Sequence, residues 1–313
     1  MDRMALTFYC DDTGPYGHPP EAFKTFLDFV ASEGIAGESS VILGARSDTY
    51  GLLSQPTTEA QKAYIEQLQR AYACGIDAHM EIMTHGRLYD FDEDRLPDEA
   101  AHEGVWLCDP EVEADAYASY FARILEEGER IGVKFTGLTL PGCGCEACKK
   151  RYAEIGDRGF FHKVNPSAWE GLLRVARQGK FRNRTVACFI CYDAAQRGPV
   201  LTAGDGAYGV YDLAPNALDR FGRWTNDPAH VDADYYITAD GEGGRIPELL
   251  REGAACCTFY AHWQGINPHN GVGWEGFTRV VRRVQRFLGD RVVWMRPSDL
   301  VERFHAGRGR LFN

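Results

Sequence analysis

Residues 6–43 read LTFYCDDTGPYGHPPEAFKTFLDFVASEGIAGESSVIL, and this stretch sets the pattern for the whole chain. It opens with a short apolar run that stops at Asp11 and Asp12 before a loop rich in glycine and proline, which is typical of a buried strand entering a turn. Residues 20–34 then place their large apolar side chains on one stripe of a helix, with proline at its start and glycine at its end. Because residues 40–43 return to a short apolar run, the stretch predicts one strand-helix-strand unit.

The same alternation of strand and helix continues to the end of the chain. Further strands are predicted at 78–83, 135–140, 185–191, 207–213, 235–238, 256–262 and 292–295, and further helices at 57–74, 111–131, 166–178, 246–252, 274–288 and 298–305. Short, nearly unbroken apolar strands between helices indicate parallel strands that are buried on both faces. The fold class predicted is therefore α/β, as a single (β/α) barrel of seven or eight parallel strands over residues 1–313, either regular or irregular.

Composition restricts the class of partner. The 313 residues carry a formal net charge of −11, and 44% of them are hydrophobic, as in a globular domain with a large core. The negative charge argues against a nucleic acid or an anionic membrane as partner, because both surfaces would repel it. The sequence has no stretch of about 18 apolar residues and opens without a leader pattern, so we expect a cytoplasmic protein, with a homo-oligomer left open.

Two predicted loops are long enough to form the walls of a site. Residues 86–104 and 193–234 are rich in aspartate, glycine and aromatic side chains. Barrel enzymes place their chemistry on the loops that follow the carboxyl ends of the strands. We therefore expect a small-molecule substrate to bind between these loops.

A cysteine cluster in LPGCGCEACKKRY, residues 140–152, has metal-ligand spacing. Cys143, Cys145 and Cys148 can converge on one tetrahedral ion, and Cys108 is a candidate fourth ligand. A complete thiolate set leaves no open coordination position, so this would be a structural zinc; the alternative is a group of unrelated reduced thiols. The run resembles the zinc-binding loop of some barrel-type β-galactosidases, which supports a barrel but implies no activity.

Acidic and histidine side chains follow three of the predicted strands. Asp11 and Asp12 end the first strand, His85 follows the strand that also carries His79 and Glu81, and a late strand ends at His262. Parallel strands deliver their carboxyl ends to one face of a barrel, so these groups should meet there. The alternative is a purely structural role, in which the aspartates only form a turn and His79 is a buried core histidine.

This order of motifs resembles the polysaccharide deacetylase superfamily of irregular barrels. LTFYCDD followed by an amphipathic helix and SSVILG is similar to its first motif, His85 in EIMTHG to its second, and His262 to the histidine near its end. The second histidine of that second motif is replaced by Tyr89, with Asp90 next to it. The resemblance implies a metal-dependent hydrolase of the amidase or esterase type that acts on carbohydrates.

The resemblance also implies roles for individual residues. A divalent ion, with zinc as first choice, would be held by Asp12, His85 and a third ligand; His79 is preferred as that ligand, with Glu81 and Asp90 as alternatives. Asp11 would act as general base and His262 as general acid. The candidate substrate-binding residues are Trp263, Gln264, Asp240 and Glu242.

Two other functions fit the same sequence. A glycoside hydrolase needs two facing carboxylates and no metal, and its candidates follow late strands: Asp193, Asp212, Asp240 and Glu242. A barrel that binds carbohydrate without catalysis would explain the missing second histidine. Dependence of activity on a metal separates the deacetylase hypothesis from both.

Overall fold

The structure is a computed structural model that describes residues 3–14, 19–44, 58–140, 164–190 and 192–312. The strands of these ranges are β1 (Met4–Thr13), β2 (Gly37–Val41), β3 (Ile76–Met80), β4 (Gly137–Thr139), β5 (Thr185–Phe189), β6 (Val200–Gly204), β7 (Gly209–Asp212), β8 (Cys256–His262) and β9 (Val292–Trp294). The α-helices are α1 (Pro20–Glu33), α2 (Glu59–Ala71), α3 (Glu103–Trp106), α4 (Ala114–Arg130), α5 (Pro166–Arg177), α6 (Arg245–Arg251), α7 (Trp263–Ile266), α8 (Trp274–Phe287) and α9 (Pro297–Ala306). Among these described helices, none combines the length and the apolar character needed to cross a membrane.

The strands form one curled, mostly parallel sheet. Their order in the described part of the chain is β6-β7-β5-β4-β3-β2-β1-β8, with β9 beside the start of β1. The pairing of β6 with β7 is antiparallel, and the other strand pairs of this sheet are parallel. The predicted fold class is confirmed: the chain forms an irregular α/β barrel.

The irregularity lies where β7 approaches β8. No regular strand ladder joins them within the described residues; instead the backbone N–H of Asn216 donates to the carbonyl of Thr258, at 2.8 Å. The side chain of Asn216 then substitutes for missing ladder bonds, because its Oδ1 accepts from Thr258 N at 2.9 Å and its Nδ2 donates to Cys256 O at 3.1 Å. One buried amide thus closes the barrel where regular pairing stops.

Successive side chains of β1 point alternately to the outer helices and to the barrel interior. Phe8 faces the helices and makes edge contacts with Phe26 of α1 and Phe277 of α8, with ring centroids 6.0 and 5.3 Å apart. Tyr9 faces the interior, where its ring lies 4.7 Å from that of Phe189 and its hydroxyl donates to Leu213 O. Asp11 has the same parity as Tyr9, so the sequence pattern itself directs this carboxylate into the barrel mouth.

One predicted strand is absent from the structure at its position, and one strand of the structure was not predicted. The strand predicted at 235–238 is a turn: the ring of Tyr236 stacks on Phe221, with centroids 4.5 Å apart, and its hydroxyl donates to Leu218 O. This apolar run is buried by loop packing and not by strand pairing, which periodicity cannot distinguish. β6 was not predicted. Val200 and Leu201 are both exposed on this antiparallel edge strand, so its sequence lacks the alternation of apolar and polar residues that predicts a strand.

Candidate functional site

The carboxyl ends of β1 and β8 lie side by side. Asp11 and His262 are direct neighbours in the parallel register of these strands, so their side chains leave the sheet on the same face. Asp12 follows with a positive φ of 61°, a conformation in which aspartate is one of the more tolerated residues other than glycine. This turn of the backbone sends the two neighbouring carboxylates in different directions.

Asp12, Glu81 and His85 form a compact group at this end of the barrel. Nε2 of His85 lies 3.2 Å from Oε1 of Glu81 and 3.5 Å from Oδ1 of Asp12. One potential ligand atom from each of the three residues lies within 4.8 Å of the others, and this is the candidate metal-binding group of the described residues. The structure therefore brings together Asp12 and His85, which the sequence pairs, with Glu81, which it offers as an alternative third ligand.

Two hydrogen bonds fix the carboxylate of Glu81 in this group. Its Oε2 accepts from the Ser40 hydroxyl at 2.5 Å and from the backbone N–H of Asp12 at 3.3 Å. The same Ser40 oxygen also accepts from Asp12 N, at 3.1 Å. Thus β1, β2 and β3 are tied together at their carboxyl ends by side chains that also form the site.

Glu103 anchors the chain segment that carries His85. Its buried carboxylate accepts from the backbone N–H groups of Met83 and Thr84, at 3.0 and 3.1 Å, and from the hydroxyl of Tyr120, at 2.8 Å. His85 itself has a positive φ of 56°, which an unsupported histidine rarely adopts. Glu103 lies in the long loop 86–104 that the sequence predicts as a wall of the site, but nothing in the sequence distinguishes it there.

His262 is oriented by a second acidic residue. Its Nδ1 lies 2.7 Å from Oδ2 of Asp219, whose side chain is buried. The contact leaves Nε2 of His262 as the nitrogen available to a bound molecule. Asp219 lies in the predicted wall 193–234, and sequence reasoning missed it because its partner is 43 positions away.

The electrostatics of the site follow from burial and an excess of carboxylates. Burial raises the pKa of Asp11 well above its usual range, and the neighbouring Glu81 and Asp12 carboxylates add to that rise. Burial alone would lower the pKa of His85, but the charges of Glu81 and Asp12 outweigh it and raise that pKa to about 9. Burial likewise opposes protonation of His262, yet the hydrogen bond to Asp219 raises its pKa.

The side chains present fit a divalent cation. Two carboxylates and an imidazole converge, and these are oxygen and nitrogen donors that zinc and related ions accept. Two further polar atoms, Oδ1 of Asp11 and Oε1 of Gln264, are buried without a hydrogen-bond partner among the described residues. A positive charge would offset the repulsion among these carboxylates, which burial otherwise makes costly.

His79 does not join this group. It is fully buried inside the barrel, where its Nδ1 faces Oε2 of Glu38 at 3.7 Å and the hydroxyl of Thr139 at 3.5 Å. Gly137 allows the ring to sit there, because a Cβ at that position would lie 2.4 Å from Nε2 of His79. Burial lowers the pKa of His79 to about 3, so it is neutral at physiological pH.

Of the candidate substrate-binding residues, Gln264 lies at the site and Trp263 lies in the core. Gln264 reaches the site, since its Nε2 donates to Oδ2 of Asp12 at 3.3 Å. Trp263 is only 1% exposed and packs edge-on against Phe23 and Phe26, so its ring is part of the core.

Asp240 and Glu242 lie away from the carboxyl ends of β1 and β8. Oδ1 of Asp240 accepts from the hydroxyl of Thr238 and from Glu242 N, within one exposed turn. The turn lines a surface cavity with residues 287, 288 and 291, which connect α8 to the start of β9. Because β9 pairs with the start of β1, this cavity lies toward the amino ends of the strands.

The other acidic candidates stand outside the site as well. Oδ1 of Asp90 accepts from two backbone N–H groups of its own loop, at 3.0 Å each, as a turn residue does. Asp193 caps its own turn in the same way, through Ala195 N at 2.8 Å. Burial raises the pKa of Asp212 to about 7, but this residue ends β7 and is not part of the Asp12, Glu81 and His85 group.

The proposed structural zinc site falls mainly outside the described residues. Cys143, Cys145 and Cys148 belong to the undescribed range 141–163. Cys108, the candidate fourth ligand, is partly buried and lies ahead of α4. The four-cysteine site stays a prediction.

Comparisons with known proteins give only distant structural likenesses. No protein-family model matches this sequence, and no curated protein matches it. A 4-α-glucanotransferase from Thermococcus litoralis is 10% identical with a TM-score of 0.49, over 97% of this chain and 41% of the glucanotransferase, so this chain spans about two fifths of that protein. A deacetylase solved with substrate is 10% identical with a TM-score of 0.42, over 96% and 92% of the two chains. A β-1,4-mannanase is 11% identical with a TM-score of 0.36, over 91% and 99%.

Proposed function

We propose that this protein is a metal-dependent hydrolase of a carbohydrate amide or ester, similar in chemistry to a deacetylase. The observation that carries the proposal is a single juxtaposition. A three-residue ligand group, Asp12, Glu81 and His85, lies at the same barrel end as the neighbouring Asp11 and His262. The sequence resemblance to the polysaccharide deacetylase superfamily supports carbohydrate as the substrate class.

Asp12, Glu81 and His85 would hold the ion, with Glu81 in the place for which the sequence first suggests His79. A divalent ion bound there supplies Lewis acidity, which polarises a substrate carbonyl and lowers the pKa of water. Ser40 and Glu103 keep these ligands in position before any ion arrives, through the hydrogen bonds to Glu81 and to the backbone next to His85. Ligands that are already held in place bind an ion more tightly and fix the geometry of its site.

Asp11 and His262 would move the protons. Oδ1 of Asp11 is buried and unpartnered among the described residues, so it can accept a proton from an attacking water. Nε2 of His262 can donate a proton to the departing nitrogen or oxygen, since Asp219 holds Nδ1 and favours the imidazolium form. Gln264 would orient Asp12 through its amide.

The test measures acetate release from an N-acetylglucosamine tetramer and from acetylated xylan, after chelation and again after addition of zinc, cobalt or manganese. We expect activity that is lost on chelation, restored by metal, and reduced at least about 100-fold by Asp11→Asn or His262→Gln. Asp240→Asn is the matched control, because it makes the same carboxylate-to-amide change in an exposed turn away from the site. It should leave activity unchanged.

Two companion measurements on the same substrates, of new reducing ends and of sugar binding, identify the alternatives if no metal-dependent acetate release is seen. Release of reducing ends that survives chelation would indicate a glycoside hydrolase with paired carboxylates. Sugar binding without turnover, unaffected by Asp11→Asn, would indicate a non-catalytic carbohydrate-binding barrel.

A further inference from the structure

Trp224 is an exposed tryptophan on the loop that also carries Asp219. Its side chain is 66% exposed, whereas Trp263 in the neighbouring segment is 1% exposed. A tryptophan left in water forfeits the large free energy that burial of its ring would supply. Val272 is also exposed, at 38%, and its side chain lies against the backbone of Gly222 in the same loop. An apolar surface is therefore presented to solvent at this position.

The loop around Trp224 is held in a defined shape. Arg223 and Asn226 both have positive φ, at 57° and 52°, on either side of the tryptophan. Asn226 joins the loop to the segment that follows α7, because its Oδ1 accepts from Val272 N at 2.8 Å and its Nδ2 donates to Asn270 O at 3.1 Å. A loop whose backbone is already ordered loses less conformational entropy when a ligand binds.

Close backbone packing places this loop beside the proposed site. Added Cβ atoms at Gly265 and Gly273 would lie 2.3 and 1.9 Å from the carbonyl oxygen of Phe221, so glycine is required at both positions. Gly265 directly follows Gln264, whose amide contacts Asp12. The loop also begins at Asp219, the partner of His262, and the five residues from there to Trp224 reach at most about 17 Å at about 3.4 Å each.

We infer that Trp224 is a stacking platform for a sugar ring located some units away from the bond that is hydrolysed. The face of an indole matches the apolar C–H face of a pyranose, and its N–H can donate to a hydroxyl. The inference rests on the proposed function and extends it: the substrate is an oligosaccharide or polysaccharide and not a single sugar. Val272 would widen the platform.

The experiment is calorimetric titration of the zinc-loaded protein with the β-1,4-linked N-acetylglucosamine tetramer, with cellotetraose and with free N-acetylglucosamine. Trp224→Ala removes the ring, Trp224→Phe retains a smaller one, and Leu201→Ala is the control for loss of another exposed apolar side chain, on β6. We expect a tetramer to bind about tenfold more weakly to Trp224→Ala, with an intermediate effect for Trp224→Phe and none for Leu201→Ala. The affinity for free N-acetylglucosamine should not change.

Three results overturn the inference. Tetramer affinity that is the same in wild type and Trp224→Ala would refute the platform while leaving the proposed function intact. A change from dimer to monomer in Trp224→Ala, seen by sedimentation and without loss of sugar affinity, would assign this surface to self-association. A wild-type protein that neither binds nor hydrolyses any tetramer would refute the proposed function, and the platform with it.

Discussion

At the scale of single residues, the site is defined by how burial and charge act on neighbouring groups. Asp11, Asp12 and Glu81 would repel one another if all were ionised in a dry pocket, and His85 and His262 reduce that repulsion. The two histidines have different surroundings. His85 lies between two potential metal ligands, and His262 lies against the buried carboxylate of Asp219. The contact between His262 and Asp219 predicts how the activity depends on pH.

Replacement of Asp219 by asparagine should move the alkaline limb of the pH–rate profile to lower pH. His262 must be protonated to act as general acid, so activity falls as pH rises through its pKa. Because Asp219 raises that pKa, its loss lowers the pKa and moves the limb downward; we expect kcat at pH 8 to fall by about 10- to 100-fold. The measurement is kcat against pH for metal-saturated wild type and variant.

Asp227→Asn in the same loop is the control for this prediction. Its carboxylate accepts from Ala229 N within its own turn and does not contact His262, so the profile should match that of wild type. An alkaline limb that stays in place in Asp219→Asn would contradict the role assigned to Asp219.

At the scale of elements, α9 is fixed to the barrel by a cap from a distant strand. Asp77 at the start of β3 is buried, and its carboxylate accepts from the backbone N–H and the hydroxyl of Ser298, at 2.7 and 2.9 Å. The backbone N–H of Ser298 is one of the first-turn donors that a helix leaves unsatisfied. Burial raises the pKa of Asp77 to about 7 in spite of these hydrogen bonds.

This cap predicts a pH-dependent stability that Asp77→Asn removes. The folded state holds the Asp77 proton more tightly than the unfolded state, whose pKa is about 3.9. The contribution of Asp77 to the free energy of unfolding is therefore fully present below about pH 4 and falls as pH rises to about 7, by at most about 4 kcal/mol. Urea unfolding at pH 5 and pH 8 measures it.

We expect Asp77→Asn to be less stable than wild type at pH 5, with the difference shrinking or reversing at pH 8. Groups that titrate in both proteins cancel in this comparison. Asp90→Asn, in an exposed loop, should show the same difference from wild type at both pH values. A difference for Asp77→Asn that does not depend on pH would contradict the assignment.

The elements that the sequence predicts well are those with strong local periodicity. Helices α1 and α8 and strand β8 begin and end within one residue of their predicted bounds, since each repeats a clear apolar pattern. The turn at 235–238 and the edge strand β6 were not predicted correctly, because their structure depends on packing partners that no local pattern reveals. The same limit hid Ser40, Glu103 and Asp219, which act through contacts between distant segments.

At the scale of the whole molecule, barrel closure depends on one buried amide. Asn216 makes bonds to the backbone of β8 and also donates to Gln196 O at 3.0 Å. Asn216→Ala would leave several buried backbone groups without partners, so we expect the free energy of unfolding to fall by roughly 3 kcal/mol. Urea unfolding checks this.

Asn183→Ala is the control for barrel closure. Asn183 is partly buried, and its amide donates a solvent-exposed hydrogen bond to the side chain of Glu302, so stability should change by less than about 0.5 kcal/mol. Equal, small effects of the two substitutions would mean that the barrel does not depend on Asn216 for closure.

The proposed function requires Asp12, Glu81 and His85 to hold one divalent ion, and the metal content of variants measures this. Zinc is measured per chain, after removal of loosely bound metal, in wild type, Glu81→Gln, His85→Ala and the control Asp240→Asn, with folding checked by circular dichroism. A Cys145→Ser background separates any zinc bound by the cysteine loop. Glu81→Gln and His85→Ala should each hold one equivalent of zinc less than wild type and Asp240→Asn. Equal zinc content in all four proteins would show that Glu81 and His85 do not bind the ion.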